Sequence, residues 1–117
     1  MRDIRTESSS FINSTLDVRD KAIITLLAKT GIRRRELITL DVDDIDWVEQ
    51  SIRLKPTPKR INVTIFFDDE TAIMLRRWVT ARETRNEKGS KALFINNLGT
   101  RLNRNGVYLA HIPQLEV

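Results

Sequence analysis

Three consecutive arginines, Arg33, Arg34 and Arg35, are followed at once by Glu36 and an apolar run in the stretch TGIRRRELITLDVDDID. A helix beginning near Arg33 would carry these charges in its first turn, where the macrodipole is already positive, a conflict of about 0.3–1 kcal/mol per exposed charge. An anionic partner would resolve it. Glu36 lies three positions after Arg33 on the same helix face, so it either orients the Arg33 guanidinium or forms an ordinary helix-stabilising pair with it. Further along, Lys55 and Lys59 flank the PTP of LKPTPKR. Pro56 and Pro58 restrict Lys55 and Thr57 to extended conformations, which gives a stiffened tip that holds charge out in space. Asp41, Asp43, Asp44 and Asp46 could offer hard oxygen ligands to calcium or magnesium. The run lacks the glycine and the later glutamate of an EF-hand loop, so turn-forming and capping aspartates are the better account and no metal is assigned.

These groups need elements to position them. LDVRDKAIITLLAK places Ala22, Ile23, Leu26 and Leu27 at helical spacing, with Asp17 able to cap the start and Gly31 suited to the left-handed position after the end. RRRELITL reads as a second, short helix with Leu37, Ile38 and Leu40 as its apolar stripe. DVDDIDW makes a turn, and SIRLK and RINVTIF read as two β-rich strands joined through the proline-bearing tip. DDETAIMLRRWVTARETRNEKGS is the longest amphipathic pattern, with Ala72, Ile73, Leu75, Trp78 and Val79 inward, acids early and basics late. ALFIN reads as a short strand, LGTRL as a turn, and NRNGVYLAHI as a helical stretch weakened by Gly106. The result is an α+β fold, mostly helical, with a small antiparallel sheet of about three strands.

The chain has 117 residues, which suits one domain with a real core. Residues 1–15, rich in Ser and Thr, form a flexible lead-in, residues 16–111 the domain, and residues 112–117 a tail. Lys and Arg number 20 against 16 acids, for a net charge of +4, which suits an anionic partner without requiring one. The absence of cysteine excludes disulfides and thiolate zinc sites. No apolar run is long enough to span a bilayer and no signal peptide opens the chain, which points to a soluble, cytoplasmic protein with no membrane partner.

A helix, a glycine turn and an arginine-led helix could form a helix-turn-helix, but Leu37, Ile38 and Leu40 bury too much of the second helix for base readout. A more definite match is available. RDKAIITLLAKTGIRRRELITLDVDDIDW resembles the opening of the catalytic domain of tyrosine recombinases, the phage integrase family. The signature is T-G-(apolar)-R-x-x-E-L, met here by Thr30, Gly31, Ile32, Arg33, Glu36 and Leu37, then a D-I-D element at Asp44, Ile45 and Asp46. The similarity continues through the hairpin to Leu93, Phe94 and the GTRL turn.

In that family two arginines grip the scissile phosphate, a lysine on the hairpin and a histidine assist proton transfer, and a tyrosine attacks phosphorus without metal, ATP or other cofactor. The resemblance therefore implies that Arg33 is the first catalytic arginine, with Glu36 holding it rather than acting as an acid. It implies Lys55 as the catalytic lysine, with Lys59 as the fallback across the turn. Arginine stays charged and its planar fork bonds two phosphate oxygens at once, while lysine can yield a proton to a leaving oxygen. Arg34, Arg35, Lys59 and Arg60 are candidates for flanking DNA phosphates, or for a plain solvated face.

Other parts of the family pattern are missing from these residues. His111 is followed by Ile-Pro-Gln, so no H-x-x-R motif is present, and Tyr108 sits in an apolar VYLAHI setting that suits packing rather than nucleophilic attack. The chain thus reads as the first half or more of the catalytic domain, a monomeric binder of double-stranded DNA that does not cleave alone, whereas the parent family assembles as homo-oligomers on DNA. Two alternatives remain: a non-catalytic DNA-binding or regulatory protein on the same scaffold, and an interaction module without DNA binding.

Overall fold

A computed structural model describes residues 17–61 and 63–103. Helix α1, Val18–Thr30, is capped as its sequence requires: the Asp17 carboxylate accepts the N–H groups of Arg19 and Asp20, and Gly31 closes the end at φ 73°. That left-handed conformation costs a residue with a Cβ about 1 kcal/mol or more, which is why glycine stands there. Ala22, Ile23 and Leu26 are buried and Leu27 packs at the margin.

Helix α2 is a single turn, Arg34–Leu37, with Arg33 as its extended N-cap at φ −84°, ψ 151°. It is much shorter than the pattern RRRELITL suggests. Only a few peptide dipoles align in one turn, and Arg33 lies outside it, so the electrostatic conflict anticipated at this helix start is small. Leu37 and Leu40 are fully buried and Ile38 is half-buried.

A turn of 3₁₀ helix, Val42–Asp44, leads into β1, Ile45–Asp46, followed by β2, Ser51–Arg53, and β3, Thr64–Phe66. The sheet order is β1-β2-β3, both pairs antiparallel, with Ile45 opposite Ile52 and Ile52 opposite Ile65. Those three isoleucines share the face turned to the core, because side chains in register across antiparallel strands point the same way. The sheet therefore does have three strands, but the third is Ile45–Asp46, inside the segment expected to be only a turn.

ALFIN is not a strand of that sheet. Ala92, Leu93, Phe94 and Ile95 are all buried, and the segment makes only isolated bridges, Asp41 with Ala92 and Ile95 with Arg101. Three of its carbonyls go instead to side chains: Trp78 Nε1 donates to Leu93 at 2.8 Å, Arg82 Nε to Ala92 at 2.8 Å and Arg19 Nη1 to Ile95 at 3.2 Å, while the Phe94 carbonyl accepts the Leu102 N–H at 3.0 Å. Sequence pattern shows burial and β propensity but not which partner takes the backbone.

Helix α3, Asp69–Arg85, starts at Asp68, whose carboxylate accepts the Thr71 N–H, and packs along α1. Ala72, Leu75 and Trp78 face inward as the period predicts, joined by Thr71 and Arg82, and Val79 packs against the core margin. Ile73 does not: it is 51% exposed. A helix of period 3.6 that buries Ala72, Leu75 and Trp78 turns position 73 toward its flank. Trp78 stacks on Phe94 at 6.1 Å between centroids, and Arg85 ties the end of α3 to Asp17 at 2.9 Å. Among the described residues no helix is long and apolar enough to cross a membrane. The helical stretch expected within NRNGVYLAHI lies, from Arg104 onward, outside the described residues.

Candidate functional site

The turn after α1, the single turn of α2 and the β2–β3 hairpin meet around an open cleft of about 970 Å³. Six basic side chains line it, Arg33, Arg35, Lys55, Lys59, Arg60 and Arg101, against one carboxylate, Glu36. Such a surplus of one sign in a concave surface focuses positive potential. Five of the six were singled out from sequence. Arg34, on the same turn of helix, is half-buried and is not part of the lining.

Arg33 is placed by local structure. Thr30 Oγ accepts the Ile32 N–H at 3.3 Å, and Ile32 is buried, which fixes the chain on either side of Gly31. The Arg33 guanidinium is exposed and has no hydrogen bond or ion pair among the described residues, and the same is true of Arg35 and Lys59. Glu36 does not grip the Arg33 guanidinium. Its Oε1 accepts the Arg33 backbone N–H at 3.0 Å, the reciprocal half of a capping box, while Oε2 accepts Arg60 Nη1 at 2.5 Å. One carboxylate thus links the Arg33 turn to the hairpin.

The hairpin turn is closed by Thr57 and Arg60, whose N–H groups donate to each other's carbonyls at 2.7 and 3.1 Å. Lys59 projects from it into solvent as its sequence suggests. Lys55 does not extend into space. It is half-buried and folds back on the body, where its Nζ donates to Asp41 Oδ2 at 3.1 Å and to Asp44 Oδ2. Burial works to lower the Lys55 pKa, but the hydrogen bonds and charges of Asp44 and Asp41 outweigh it and raise the value. Asp41 shows the counterpart: burial disfavours its ionised form, yet Arg101 and Lys55 hold its pKa below the ordinary carboxylate value.

Arg101 is the cleft residue that sequence reasoning missed. Its Nη1 donates to the Ile38 and Leu40 carbonyls, each at 3.0 Å, and its Nη2 to Asp41 Oδ1 at 2.6 Å. It thereby satisfies the Ile38 carbonyl left open where α2 ends and adds a second donor to the Leu40 carbonyl, which also accepts the Leu93 N–H at 2.9 Å. The GTRL turn was visible, but nothing local indicates that its arginine crosses 60 residues of chain to Asp41. The aspartates of DVDDID are used as caps and ion-pair partners: Asp44 also accepts the Asp41 N–H at 2.8 Å, and Asp46 accepts those of Val48 and Glu49.

The relatives of this chain share its plan. Tyrosine recombinase XerA of Saccharolobus solfataricus is 36% identical over 72 residues, which is 62% of this chain and 25% of XerA. Tyrosine recombinase XerC of Herpetosiphon aurantiacus is 37% identical over 93 residues, 79% of this chain and 30% of XerC. The chain thus spans less than a third of the length of these relatives. Among solved structures, the crystal structure of XerA recombinase superposes with a TM-score of 0.73 at 24% identity, over 84% of this chain and 35% of the other. The Tn1549 transposon integrase, solved with transposon right end DNA, does so with a TM-score of 0.66 at 17% identity, over 91% of this chain and 40% of the other. At these identities the two superpositions establish the fold. Sequence family and fold agree, and with a match to the family profile over residues 3–111, the chain belongs to the phage integrase family.

Proposed function

We propose that this chain is the phosphate-gripping part of a site-specific tyrosine recombinase acting in DNA recombination and integration, and that its cleft receives the backbone of double-stranded DNA. The observation that carries the reading is the exposed Arg33 guanidinium, unpartnered among the described residues, in a cleft lined by six cations and one carboxylate. Its relatives XerA and XerC are named tyrosine recombinases, and the integrase with the same fold was solved with DNA.

In this reading Arg33 donates two N–H groups to oxygens of the scissile phosphate and stabilises the charge that builds on them in the transition state. In a whole recombinase, where a tyrosine attacks the phosphorus as the bond to the sugar oxygen breaks, Lys55 gives a proton to that leaving oxygen, after release from its carboxylates. Glu36 positions Arg33 through its backbone and steadies the hairpin through Arg60. Arg35, Lys59 and Arg60 contact flanking phosphates, which position the duplex without reading its sequence. Residues 16–111 act as a partial catalytic domain. The H-x-x-R motif of the family is absent from this sequence and Tyr108 is not read as its nucleophile, so this chain alone does not cleave, since groups that act as a unit lose nearly everything when one is removed; it binds DNA as a monomer in this reading.

Binding of a fluorescent duplex titrated against salt tests the reading. Each neutralised phosphate contributes about −0.9 to the slope of log affinity against log salt, so affinity should fall steeply. No binding even at low salt would overturn it. A suicide duplex tests the catalytic half: a covalent adduct on Tyr108 would contradict the assignment of this chain as a binder without a nucleophile.

A further inference from the structure

Lys55 is held in a manner that the grip on phosphate does not require. Two carboxylates, Asp41 and Asp44, converge on its ammonium, while Arg33, Arg35 and Lys59 in the same cleft have no partner among the described residues. The carboxylates are fixed and the lysine is not. Asp41 is bridged to Ala92, the neighbouring Val42 N–H donates to the Lys91 carbonyl at 3.0 Å, and Asp44 accepts the Asp41 N–H at 2.8 Å. Arg101 completes the frame, because its guanidinium joins the Ile38 and Leu40 carbonyls to Asp41, and its loss would leave the Ile38 carbonyl without a donor and Asp41 with one cation fewer. Lys55 hangs from a flexible four-carbon stem, and the other side of the hairpin is held independently by Arg60 on Glu36. The ammonium can therefore swing while the hairpin stays in place.

We propose that Asp41 and Asp44 form a carboxylate latch on Lys55, that Arg101 is the positioning residue that holds the latch in register with the cleft, and that a backbone phosphate must displace the carboxylates before Lys55 can reach it. The second half rests on the DNA reading above; the first half does not. The latch keeps Lys55 paired in the free protein. An incoming phosphate competes for the same ammonium, so the latch lowers DNA affinity in proportion to the strength of the two ion pairs.

Acetylation with an N-hydroxysuccinimide ester under single-hit conditions, mapped by peptide mass spectrometry, reads the latch directly, with exposed Lys59 as the internal standard. Lys55 should react more slowly than Lys59 in the unaltered chain, and Asp44→Asn, which keeps an oxygen for the Asp41 N–H, should raise its rate toward that of Lys59. Arg101→Ala should raise it as well, with Lys59 unchanged. Equal Lys55 rates in the unaltered chain and in Asp44→Asn would overturn the latch. For DNA, Asp44→Asn should bind a short duplex about two- to fivefold more tightly, and the gain should vanish in a Lys55→Ala background. A gain that survives Lys55→Ala would be a general charge effect and would overturn displacement. Absence of duplex binding by the unaltered chain would sink the DNA reading and displacement together, while the acetylation rates would still decide the latch.

Discussion

Arg82 and Arg33 are the same side chain in two settings, one in the packed body and one in the cleft. Arg82 is only 3% exposed, and its guanidinium is spent on the carbonyls of Ala92 and Ser90 and on Glu83, so that it fastens α3 to the 90–95 segment. Arg33 is exposed, with its position set through the backbone and its guanidinium left available. The body converts arginine into structure by giving each guanidinium nitrogen a partner. The cleft keeps arginine ready for an anion by not satisfying it. Arg101 and Lys55 lie between these extremes, half-exposed and paired with a body residue, Asp41, that itself bridges to Ala92.

The sharpest way to break this division is to damage the body alone. Trp78→Ala removes a fully buried indole that stacks on Phe94 and bonds Leu93, and should cost about 3–5 kcal/mol in a denaturant titration. Folded protein, if any remains, should keep the salt dependence expected of the proposed DNA binding. Next in size, Arg82→Ala leaves the buried Ala92 carbonyl without its donor, while the Ser90 carbonyl keeps Asn86, and should cost about 1–3 kcal/mol by the same measurement. If it proved silent, a partner for each nitrogen would not be what distinguishes the two arginines.

Arg33→Ala should do the reverse. Stability should shift by no more than about 0.5 kcal/mol, while duplex affinity falls and the salt slope shrinks by about 1. A large loss of stability would show that the cleft arginine is structural after all. The smallest expected effect is on acid stability. The backbone N–H of Thr71, together with Lys29, holds the Asp68 pKa at about 2, down from 3.8. A folded value below the unfolded one adds stability that is present above 3.8 and is lost as pH falls toward 2. The Tm of the unaltered chain should therefore drop over that window, and Asp68→Asn should flatten part of the drop.

The periodicity of apolar residues made α1 and the inner face of α3 legible, because a helix that must bury Ile23, Leu26, Leu75 and Trp78 repeats them every three to four positions. Caps were legible for the same local reason, at Asp17 and Gly31. Arg33, Glu36, Lys55, Lys59 and Arg60 were all found from motif and spacing, and they do meet in one cleft. The partners of these residues were not legible. Glu36 turned to the backbone of Arg33 and to Arg60, Lys55 turned inward, and Arg101 entered from a distant turn.

Sequence by itself determined the fold class, the family signature and the types of side chain that a phosphate would meet, because all of these are carried by neighbours within a few positions. Only the tertiary structure decided which strand completed the sheet, which charges were neutralised and which were left exposed. Those outcomes depend on contacts across roughly 10 to 80 residues, such as Lys55 with Asp41, Arg101 with Asp41 and Arg19 with Ile95, where the chain between is too long for any local rule to fix the pair.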